Sequence, residues 1–373
     1  MMTERTRLLD TFLTLVTTDT QTKREGRMAD LLEARLRAMG FSVQRDEAGE
    51  RIGGETGNLI AKRKGNRGSA PLLLCAHMDR VSPGTGIKPQ IKDGVITSDG
   101  TTILGADDAA GLAAILEGVQ RAIEQGMDMP DLEVVFTIAE EGGLNGSKNL
   151  DFSLLSAREA YIIDSSTPVG SIVNQAPAQT KVTYRVIGKA AHGGVEPEKG
   201  INALVVAAHA LTRMKLGRID AETTANLGIA RGGAATNIVM ETFEMQGDVR
   251  SLVTEKMEAQ VRHMTEIFER TAAEFGARVE ADVQFAYGPV NLRPDDRVIQ
   301  RASAAIRRAG LTPVLKATGG GSDANVFNTR GIPACNLGTG YRGAHSLQES
   351  LEVAELERIA DVVFALIAEY ASA

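Results

Sequence analysis

Acidic residues and a histidine directly follow three apolar segments of this chain, at the points where predicted strands end. The segments are 71–76, 132–139 and 160–163, and the residues that follow them are His77 and Asp79, Glu140 and Glu141, and Asp164. Because open α/β sheets build their sites at the carboxyl ends of their strands, we expect these side chains to lie close together. Imidazole and carboxylate groups are ligands of divalent metal ions. The layout therefore predicts one shared metal site.

The first of these motifs fits a metal ligand with its partner, and it also fits a purely structural pair. His77 can ligate a metal through one ring nitrogen while Asp79 accepts a hydrogen bond from the other, which fixes the tautomer. A hydrogen-bonded histidine at a strand end explains the same residues without a metal. Asp164 leaves a similar choice, because it could simply cap the next turn. Neither motif is decisive when it is taken alone.

Two acidic pairs differ in how easily a structural role explains them. Asp107 and Asp108 open a predicted helix, where the helix dipole by itself stabilises acidic residues. Glu140 and Glu141 are harder to explain, because adjacent carboxylates after an apolar strand repel each other. Such a pair is favoured when one carboxylate binds a cation and the other handles a proton. The second pair therefore points to catalysis more strongly than the first.

The histidines of the chain, five in number, fall into two groups by their surroundings. His77, His192 and His345 lie at a strand end or in glycine-rich segments, which suits functional side chains. His209 and His263 lie inside helix patterns, and we interpret them as structural. His345 closely follows another predicted apolar strand, so it joins the candidate ligands.

The candidate ligands together have the composition of a two-metal site. Four acidic residues and two histidines converge from predicted strand ends. Imidazole plus carboxylate without thiolate suits zinc, with cobalt or manganese as alternatives. One carboxylate must bridge two ions that lie roughly 3.5–4 Å apart. We therefore expect two Zn²⁺ ions per subunit.

Composition and charge restrict the classes of partner. The chain has 373 residues, a net charge of −7 and no basic run, which argues against nucleic acid as a partner. No apolar stretch approaches the ~20 residues that span a bilayer, and the N-terminal segment lacks the features of a signal peptide. Cys75 and Cys335 lie in apolar segments without ligand spacing, so we interpret them as core residues of a reduced protein. We therefore expect a cytoplasmic protein without a membrane partner.

The elements that must position the candidate ligands alternate between strands and helices. A strand at 71–76, a helix at 109–124 and strands at 132–139 and 159–163 follow one another along the chain. This order favours an α/β fold with a mostly parallel sheet flanked by helices. The length of the chain also favours two domains, because single cores stop growing near ~250–300 residues.

The sequence pattern changes in the middle of the chain and later reverts. Strands with alternating apolar residues are predicted at 181–187, 223–230, 236–249 and 278–284, and helices at 202–214 and 254–275. These elements form a plausible α+β domain of four antiparallel strands and two helices. We therefore predict that residues 177–287 are inserted into a catalytic domain formed by residues 1–176 and 288–373.

Five segments together carry a resemblance to a known family of enzymes. They are Cys75–Asp79, Thr102–Gly111, Ala139–Gly143, Gly232–Asn237 and Gly319–Asp323. The chain resembles the co-catalytic zinc metallopeptidases that include tripeptide aminopeptidase (peptidase T), carboxypeptidase G, aminoacylase and succinyl-diaminopimelate desuccinylase. It is most similar to the peptidase T-like branch, over essentially its whole length. The resemblance implies the zinc exopeptidase fold, with the inserted domain acting as a lid and in dimerisation.

The resemblance implies two metal sites that share one carboxylate. Asp107 would bridge the two zinc ions. His77 and Asp164 would complete one site, and Glu141 and His345 would complete the other.

The resemblance also assigns three residues to catalysis. Asp79 would orient His77. Glu140 would be the general base that activates the bridging water and then passes the proton to the leaving nitrogen. His192, in the segment 189–194, would help to bind the oxyanion, in many relatives from the partner subunit of a dimer.

Substrate contacts are expected on the inserted domain and on a glycine-rich loop. Asn237 and Arg250 fall where relatives place substrate-contacting groups, and the fork of Arg250 suits a peptide carboxylate. A surface arginine on a strand explains Arg250 without any ligand. Gly320, in the loop 319–321, would let the backbone approach the substrate closely.

The resemblance implies hydrolysis of the N-terminal peptide bond of short peptides, as in a tripeptide aminopeptidase. An amidohydrolase or carboxypeptidase that acts on N-acyl or N-carbamoyl amino acids is the alternative. A silent metal-binding or dimerisation module is a third possibility, although the intact Glu140 and the complete ligand set argue against it. Arg80 and Ala109 depart from many relatives, and because neither is a ligand, the departures bear on substrate preference. We also expect a homodimer that forms through the inserted domain.

Overall fold

The computed structural model describes residues 4–372, which divide into two compact units. The first unit runs to Gln175, resumes at Val290–Thr318 and continues from Ser322. The second unit comprises Ala176–Pro289 together with Gly319–Gly321. We predicted the inserted segment at 177–287, within two residues of these bounds, but we placed the glycine-rich loop in the first unit.

The described residues form ten α-helices and seventeen strands. The helices are α1 (Glu4–Thr17), α2 (Gly26–Ala38), α3 (Ala48–Ile52), α4 (Ala106–Glu124), α5 (Asn145–Lys148), α6 (Ala203–Arg213), α7 (Thr254–Glu274), α8 (Arg297–Arg308), α9 (Asp323–Thr329) and α10 (Val353–Ala371). The strands are β1 (Ser42–Arg45), β2 (Leu59–Arg63), β3 (Leu72–His77), β4 (Gln90–Lys92), β5 (Val95–Thr97), β6 (Leu132–Thr137), β7 (Ala160–Ser165), β8 (Ser171–Ala176), β9 (Ala178–Ile187), β10 (Gly217–Arg218), β11 (Thr223–Gly232), β12 (Thr242–Ser251), β13 (Arg278–Tyr287), β14 (Val290–Asn291), β15 (Val314–Ala317), β16 (Ala334–Gly338) and β17 (Ser350–Glu352). None of these helices is long and apolar enough to cross a lipid bilayer.

The first unit is built on a sheet of nine strands. Their order is β1-β2-β6-β3-β7-β16-β8-β14, and β15 pairs with β8. The pairs β3/β6, β3/β7, β7/β16 and β8/β15 are parallel, whereas β1 and β2 add an antiparallel edge. Helices α4 and α9 contact the central strands, α1 and α10 pack with α4, and α8 packs with α10. The predicted fold class, a mostly parallel sheet flanked by helices, is therefore confirmed.

The central strands of this sheet are buried along their length. Every residue of β3 and β6 is buried, and in β7 only Asp164 is partly accessible. Strands that are covered on both faces have nearly continuous apolar sequences, which explains the run of leucines in β3. Because β3, β6 and β7 are parallel, the residues at their carboxyl ends meet at one edge of the sheet.

Helix α4 has two residues in non-helical conformations near its start. Asp107 has φ −81° and ψ 102°, and Asp108 has φ −117° and ψ 35°. Regular helical geometry therefore begins after Asp108, in agreement with the start that we predicted at Ala109.

The second unit is an antiparallel sheet covered by two helices. Its strands follow the order β10-β11-β12-β9-β13, and α6 and α7 contact each other and the sheet. In its core, Tyr184 stacks on Phe268 with ring centroids 4.5 Å apart, and Val186, Val249 and Met264 belong to the same buried cluster. The four long strands and two helices agree with the predicted α+β domain, and the short strand β10 adds a fifth.

Several short elements differ from the sequence-based expectation. We did not predict β8 or the small sheet β17-β5-β4. The strands of the small sheet have three residues each, which is too short to show a period. We predicted a strand at 236–249, but β12 begins only at Thr242. In the preceding loop Ile238 is exposed and makes one isolated bridge to His192, so the apolar residues there do not form the buried face of a strand.

Candidate metal centre

Three neighbouring strands bring candidate ligands to one edge of the central sheet. His77 is the last residue of β3, Asp164 lies near the end of β7, and Glu141 follows β6. After β6 the chain passes through Ala139, whose φ of 47° lies in the left-handed region. That conformation is uncommon for a residue with a side chain, and it turns the backbone sharply just before Glu140.

The five predicted ligands lie around one carboxylate. Asp107 Oδ1 is 3.0 Å from His77 Nε2, and Asp107 Oδ2 is 3.3 Å from His345 Nε2. His77 Nε2 is also 3.6 Å from Asp164 Oδ1, and His345 Nε2 is 2.8 Å from Glu141 Oε1. Each oxygen of Asp107 therefore faces the Nε2 atom of one histidine, and each of these Nε2 atoms has one further acid beside it.

The chemistry of this donor set fits divalent metal ions. Ligand atoms of His77, Asp107 and Glu141 lie within 4.8 Å of one another, and so do those of His77, Asp108 and Asp164. Both groups offer imidazole nitrogen and carboxylate oxygen without thiolate, which suits zinc, cobalt or manganese. The residues present are therefore compatible with the two metal ions that the sequence predicts.

Carboxylates outnumber basic groups in this cluster, and the pKa values reflect the imbalance. Burial would raise the pKa of Asp107, but hydrogen bonds from His345 and His77 hold it below its usual range. Hydrogen bonds to Asp107 and Glu141 raise the pKa of His345 to about 10. Burial raises the pKa of Asp164 to about 7. A divalent cation stabilises such a surplus of carboxylates, and the acid that lies between both histidines ionises most readily.

Asp79 contacts two parts of the centre. His77 Nδ1 lies 2.9 Å from the backbone oxygen of Asp79 and 3.5 Å from its carboxylate Oδ1. The same Oδ1 accepts a hydrogen bond of 2.8 Å from Glu140 N, and Oδ2 accepts one of 2.7 Å from Thr22 Oγ1. The backbone oxygen of Asp79 is thus the nearer partner of the imidazole, while its carboxylate holds the backbone at Glu140.

Asp108 is an acid at the centre to which the sequence assigned no separate role. Its Oδ2 accepts a hydrogen bond of 3.2 Å from His77 N, and its Oδ1 accepts one of 3.0 Å from Gly111 N. Burial raises the pKa of Asp108 well above its usual range. The side chain therefore ties β3 to the first turn of α4, which keeps Asp107 next to His77. Its place in an acidic pair was the available sequence signal.

Two further residues hold ligands without any sequence signal. Glu349 is buried, and its Oε1 accepts from Asp107 N at 3.0 Å while its Oε2 accepts from Gly105 N at 2.7 Å. The Tyr341 hydroxyl donates to the backbone oxygen of Asp164 at 3.2 Å and to its Oδ1 at 3.3 Å. These contacts join residues 242 and 177 positions apart, so no motif connects them.

In the second unit, the predicted catalytic histidine lies beside a predicted substrate residue. His192 and Asn237 are both exposed. Gly193 N donates a hydrogen bond of 2.8 Å to Asn237 O, and His192 pairs with Ile238 in the isolated bridge. The two loops therefore form one continuous surface of the second unit.

Arg250, another predicted substrate residue, lies beside the glycine-rich loop. Its Nη1 donates to Gly319 O at 3.2 Å, and its Nε and Nη2 contact Asp248 Oδ2 at 3.3 and 3.0 Å. These contacts hold the plane of the guanidinium in one orientation.

The glycine-rich loop is closely packed on one side of the predicted substrate residue Gly320. A Cβ on Gly321 would lie only 2.3 Å from Tyr287 Oη. A side chain at that position would therefore displace Tyr287, which explains a glycine there.

Comparisons with known proteins show the family to which the chain belongs. Residues 73–369 match peptidase family M20/M25/M40. The uncharacterized protein YqjE of Bacillus subtilis (strain 168) is 42% identical over 370 residues, which cover 99% of this chain and 100% of that protein. The crystal structure of aminopeptidase PepT from Bacillus cereus ATCC 10987 has 43% sequence identity and a TM-score of 0.92, and it covers 98% of this chain and 99% of its own. The crystal structure of a tripeptidase from Staphylococcus aureus has 40% identity and a TM-score of 0.95, with 100% of both chains covered. The resemblance predicted from the sequence is confirmed: the chain belongs to peptidase family M20/M25/M40.

Proposed function

We propose that this chain is a metal-dependent aminopeptidase that releases the N-terminal residue of short peptides, tripeptides in particular. The observation that carries the proposal is the Asp107 carboxylate, whose two oxygens each face one histidine. Such a carboxylate can be shared by two metal ions, and aminopeptidases are among the enzymes that use two-metal centres. The relatives described as an aminopeptidase PepT and a tripeptidase support the same substrate class.

Five residues would hold two zinc ions. His77 and Asp164 would ligate one ion, Glu141 and His345 the other, and Asp107 both. Cobalt or manganese would accept the same nitrogen and oxygen donors. When bound, the two ions supply Lewis acidity to the scissile carbonyl and to an attacking water.

Glu140 is the proposed general base. It adjoins Glu141 on the turn after β6, so its carboxylate starts from the same edge of the sheet as the ligands. The carboxylate takes a proton from the attacking water and then transfers it to the leaving nitrogen, so that the amine departs neutral. Asp79 supports this arrangement, because it contacts both the backbone N–H of Glu140 and the ring of His77.

We propose that the second unit supplies the substrate contacts. The His192 imidazole would donate a hydrogen bond to the developing oxyanion, and Asn237, on the adjoining loop, would contact the peptide. Arg250 would bind the C-terminal carboxylate of the peptide, because its planar fork can donate hydrogen bonds to two carboxylate oxygens at once. Its contact with Asp248 keeps that fork in place before substrate arrives. Gly320 would allow the peptide backbone to approach closely.

A hydrolysis screen separates the proposed substrate class from the alternative. Tripeptides, dipeptides, N-acyl amino acids and N-carbamoyl amino acids would each be incubated with the enzyme loaded with zinc, cobalt or manganese. We expect tripeptides to be cleaved fastest, with release of the N-terminal amino acid. Cleavage of acyl or carbamoyl amino acids without cleavage of free-amine peptides would establish the amidohydrolase alternative instead.

We propose that the chain forms a homodimer through the second unit. Strand β13 lies at one edge of its sheet, and Val283 and Phe285 on that strand are 45% and 56% exposed. An edge strand with exposed apolar side chains is suited to pair with another chain. Sedimentation should therefore give a dimer, which Phe285→Lys should weaken. A wild-type chain that sediments only as a monomer at working concentrations would contradict the proposal.

We also propose a cytoplasmic location, where small peptides are the expected substrates. The two cysteines, Cys75 and Cys335, are free and buried, as in a protein from a reducing compartment. Cell fractionation followed by the tripeptide assay tests this location, and activity confined to the membrane or external fraction would refute it.

A further inference from the structure

We infer that Glu25 is a positioning residue for the proposed general base. Glu25 is fully buried, and its Oε1 accepts a hydrogen bond of 3.0 Å from the backbone N–H of Ala139. Ala139 immediately precedes Glu140, so Glu25 acts on the backbone that carries the base. The inference rests on the role proposed above for Glu140.

Side chains from three separate segments bind consecutive backbone N–H groups after β6. The bonds join Ile138 N to Asn58 Oδ1 (3.0 Å), Ala139 N to Glu25 Oε1 (3.0 Å) and Glu140 N to Asp79 Oδ1 (2.8 Å). These donors lie beyond the end of the strand, where the ladder of β6 no longer supplies acceptors, and buried N–H groups need an acceptor. The turn that presents Glu140 is therefore fixed by side chains.

Glu25 holds the strained position of this turn. Ala139 has a left-handed φ of 47°, a conformation that persists only when the surrounding structure determines it. Among the three N–H groups that donate to these side chains, the one bound by Glu25 belongs to Ala139 itself. Loss of this acceptor would let the backbone relax, and Glu140 and Glu141 would shift together because both follow the same turn.

Stability alone does not account for the carboxylate of Glu25. Its Oε1 also accepts a hydrogen bond of 2.8 Å from Lys23 N, but its Oε2 is buried and has no hydrogen-bond partner among the described residues. A buried polar atom without a partner is unfavourable. Burial, with a contribution from the nearby Asp79, raises the pKa of Glu25 to about 7. A neutral glutamine is thus a close substitute that keeps the acceptor oxygen.

The same strand provides a matched control at its opposite end. Glu133, near the start of β6, is buried and accepts hydrogen bonds from Ser156 N and Ala157 N at 3.0 Å each. It resembles Glu25 in burial and in its backbone partners, but it lies at the end of β6 that is remote from Glu140. Substitution of Glu133 therefore reports the general effect of losing a buried carboxylate.

The test compares Glu25→Met, Glu25→Gln and Glu133→Met in the zinc-loaded full-length enzyme, with trialanine as the substrate. Methionine keeps the length of the glutamate side chain without its acceptor oxygens. Because a misplacement of about 1 Å can cost ~100-fold in rate, we expect Glu25→Met to lower kcat by roughly 10- to 100-fold while KM changes little. Glu25→Gln should retain most of kcat, and Glu133→Met should retain all of it. Glu25→Ala replaces the methionine variant if the latter does not fold.

A second measurement reports how well the backbone N–H groups of the turn are protected. Amide hydrogen exchange in a peptide spanning residues 137–141 should be faster in Glu25→Met than in the wild type, and unchanged in Glu133→Met. Zinc content, measured on each variant, normalises kcat to the loaded sites. Normal kcat and exchange in a folded Glu25→Met would overturn the inference, as would a Glu25→Gln variant that is impaired as strongly as Glu25→Met.

The Glu140→Gln variant separates failure of this inference from failure of the proposed function. If Glu140→Gln is inactive while Glu25→Met is normal, the positioning role is wrong and the proposed base stands. If Glu140→Gln keeps normal activity, the proposed base is wrong, and the positioning role falls with it.

Discussion

Replacement of Glu140 by glutamine tests the proposed proton transfer without removing a ligand. Glutamine has nearly the same size as glutamate, but its amide cannot take up the proton of the attacking water. The hydrogen bond from Glu140 N to Asp79 Oδ1 involves the backbone, so the substitution leaves it intact. Glu141, His77 and the other proposed ligands are unchanged.

The expected magnitude follows from what the side chain does and where it lies. Loss of a general base lowers kcat by ~10²–10⁴-fold. At 1.36 kcal/mol for each factor of ten, this equals a loss of about 2.7–5.4 kcal/mol of transition-state stabilisation. Glu140 is only half-buried, so the free energy of unfolding should change by about 1 kcal/mol or less. Activity should therefore fall far more than stability does.

The assay combines three measurements on the same preparations. They are kcat with trialanine, zinc content by mass spectrometry and the melting temperature. Glu141→Gln is the matched control, because it makes the same chemical change at the adjacent residue and should lower zinc content instead. A Glu140→Gln variant with normal kcat, or one that loses as much zinc as Glu141→Gln, would refute the assigned role.

Further predictions concern packing, metal and pH. A Cβ on Gly111 would lie 1.9 Å from Ile163 O. Gly111→Ala should therefore displace α4 and lower the free energy of unfolding by about 1–3 kcal/mol. An unchanged urea midpoint would contradict this prediction. A chelator should lower the melting temperature and abolish hydrolysis, because ions that bind the folded state stabilise it. Added zinc should restore both the melting temperature and the activity. A melting temperature that does not change when the chelator is added would count against a bound metal. Burial by itself would raise the pKa of Glu133. Hydrogen bonds, of which the one from Ser156 has the largest effect, instead lower this pKa below its ordinary value of 4.5. A carboxyl with a lowered folded-state pKa contributes stability above its unfolded pKa, and that contribution is lost as the pH falls through the folded value. Glu133→Gln should therefore show a smaller fall in melting temperature than the wild type between neutral and acidic pH, and equal slopes would refute this.

The sequence was sufficient for the fold class and for the residues at the strand ends. Buried parallel strands have continuous apolar sequences, so β3, β6 and β7 were recognisable, and topology requires their carboxyl ends to meet. His77, Glu141 and Asp164 could therefore be predicted to lie together. Asp107 was different, because an acid at the start of a helix has a common structural explanation. Its role as a bridge came from the family resemblance, and that role remains a proposal.

The sequence was insufficient where a local pattern did not reflect burial. Residues 238–240 form a short apolar run within the predicted strand, yet Ile238 is exposed and β12 begins at Thr242. The short strands β4, β5 and β17 have too few residues for any period to be detected. Gly319–Gly321 packs with the second unit through Tyr287 and Arg250, a long-range contact that the local sequence does not encode.

Motif analysis cannot identify the side chains that fix the backbone of the site, and the reason is physical. A backbone N–H needs only an acceptor within hydrogen-bond distance, and that acceptor can come from any segment of the chain. Glu25 reaches Ala139 across 114 positions, and Glu349 reaches Asp107 across 242. Ligand motifs therefore report whether a chain can bind metal, whereas turnover depends also on residues without a fixed spacing. A family member that keeps every ligand and the equivalent of Glu140, but has an apolar residue at the position of Glu25, should hydrolyse peptides slowly even when its metal sites are fully loaded.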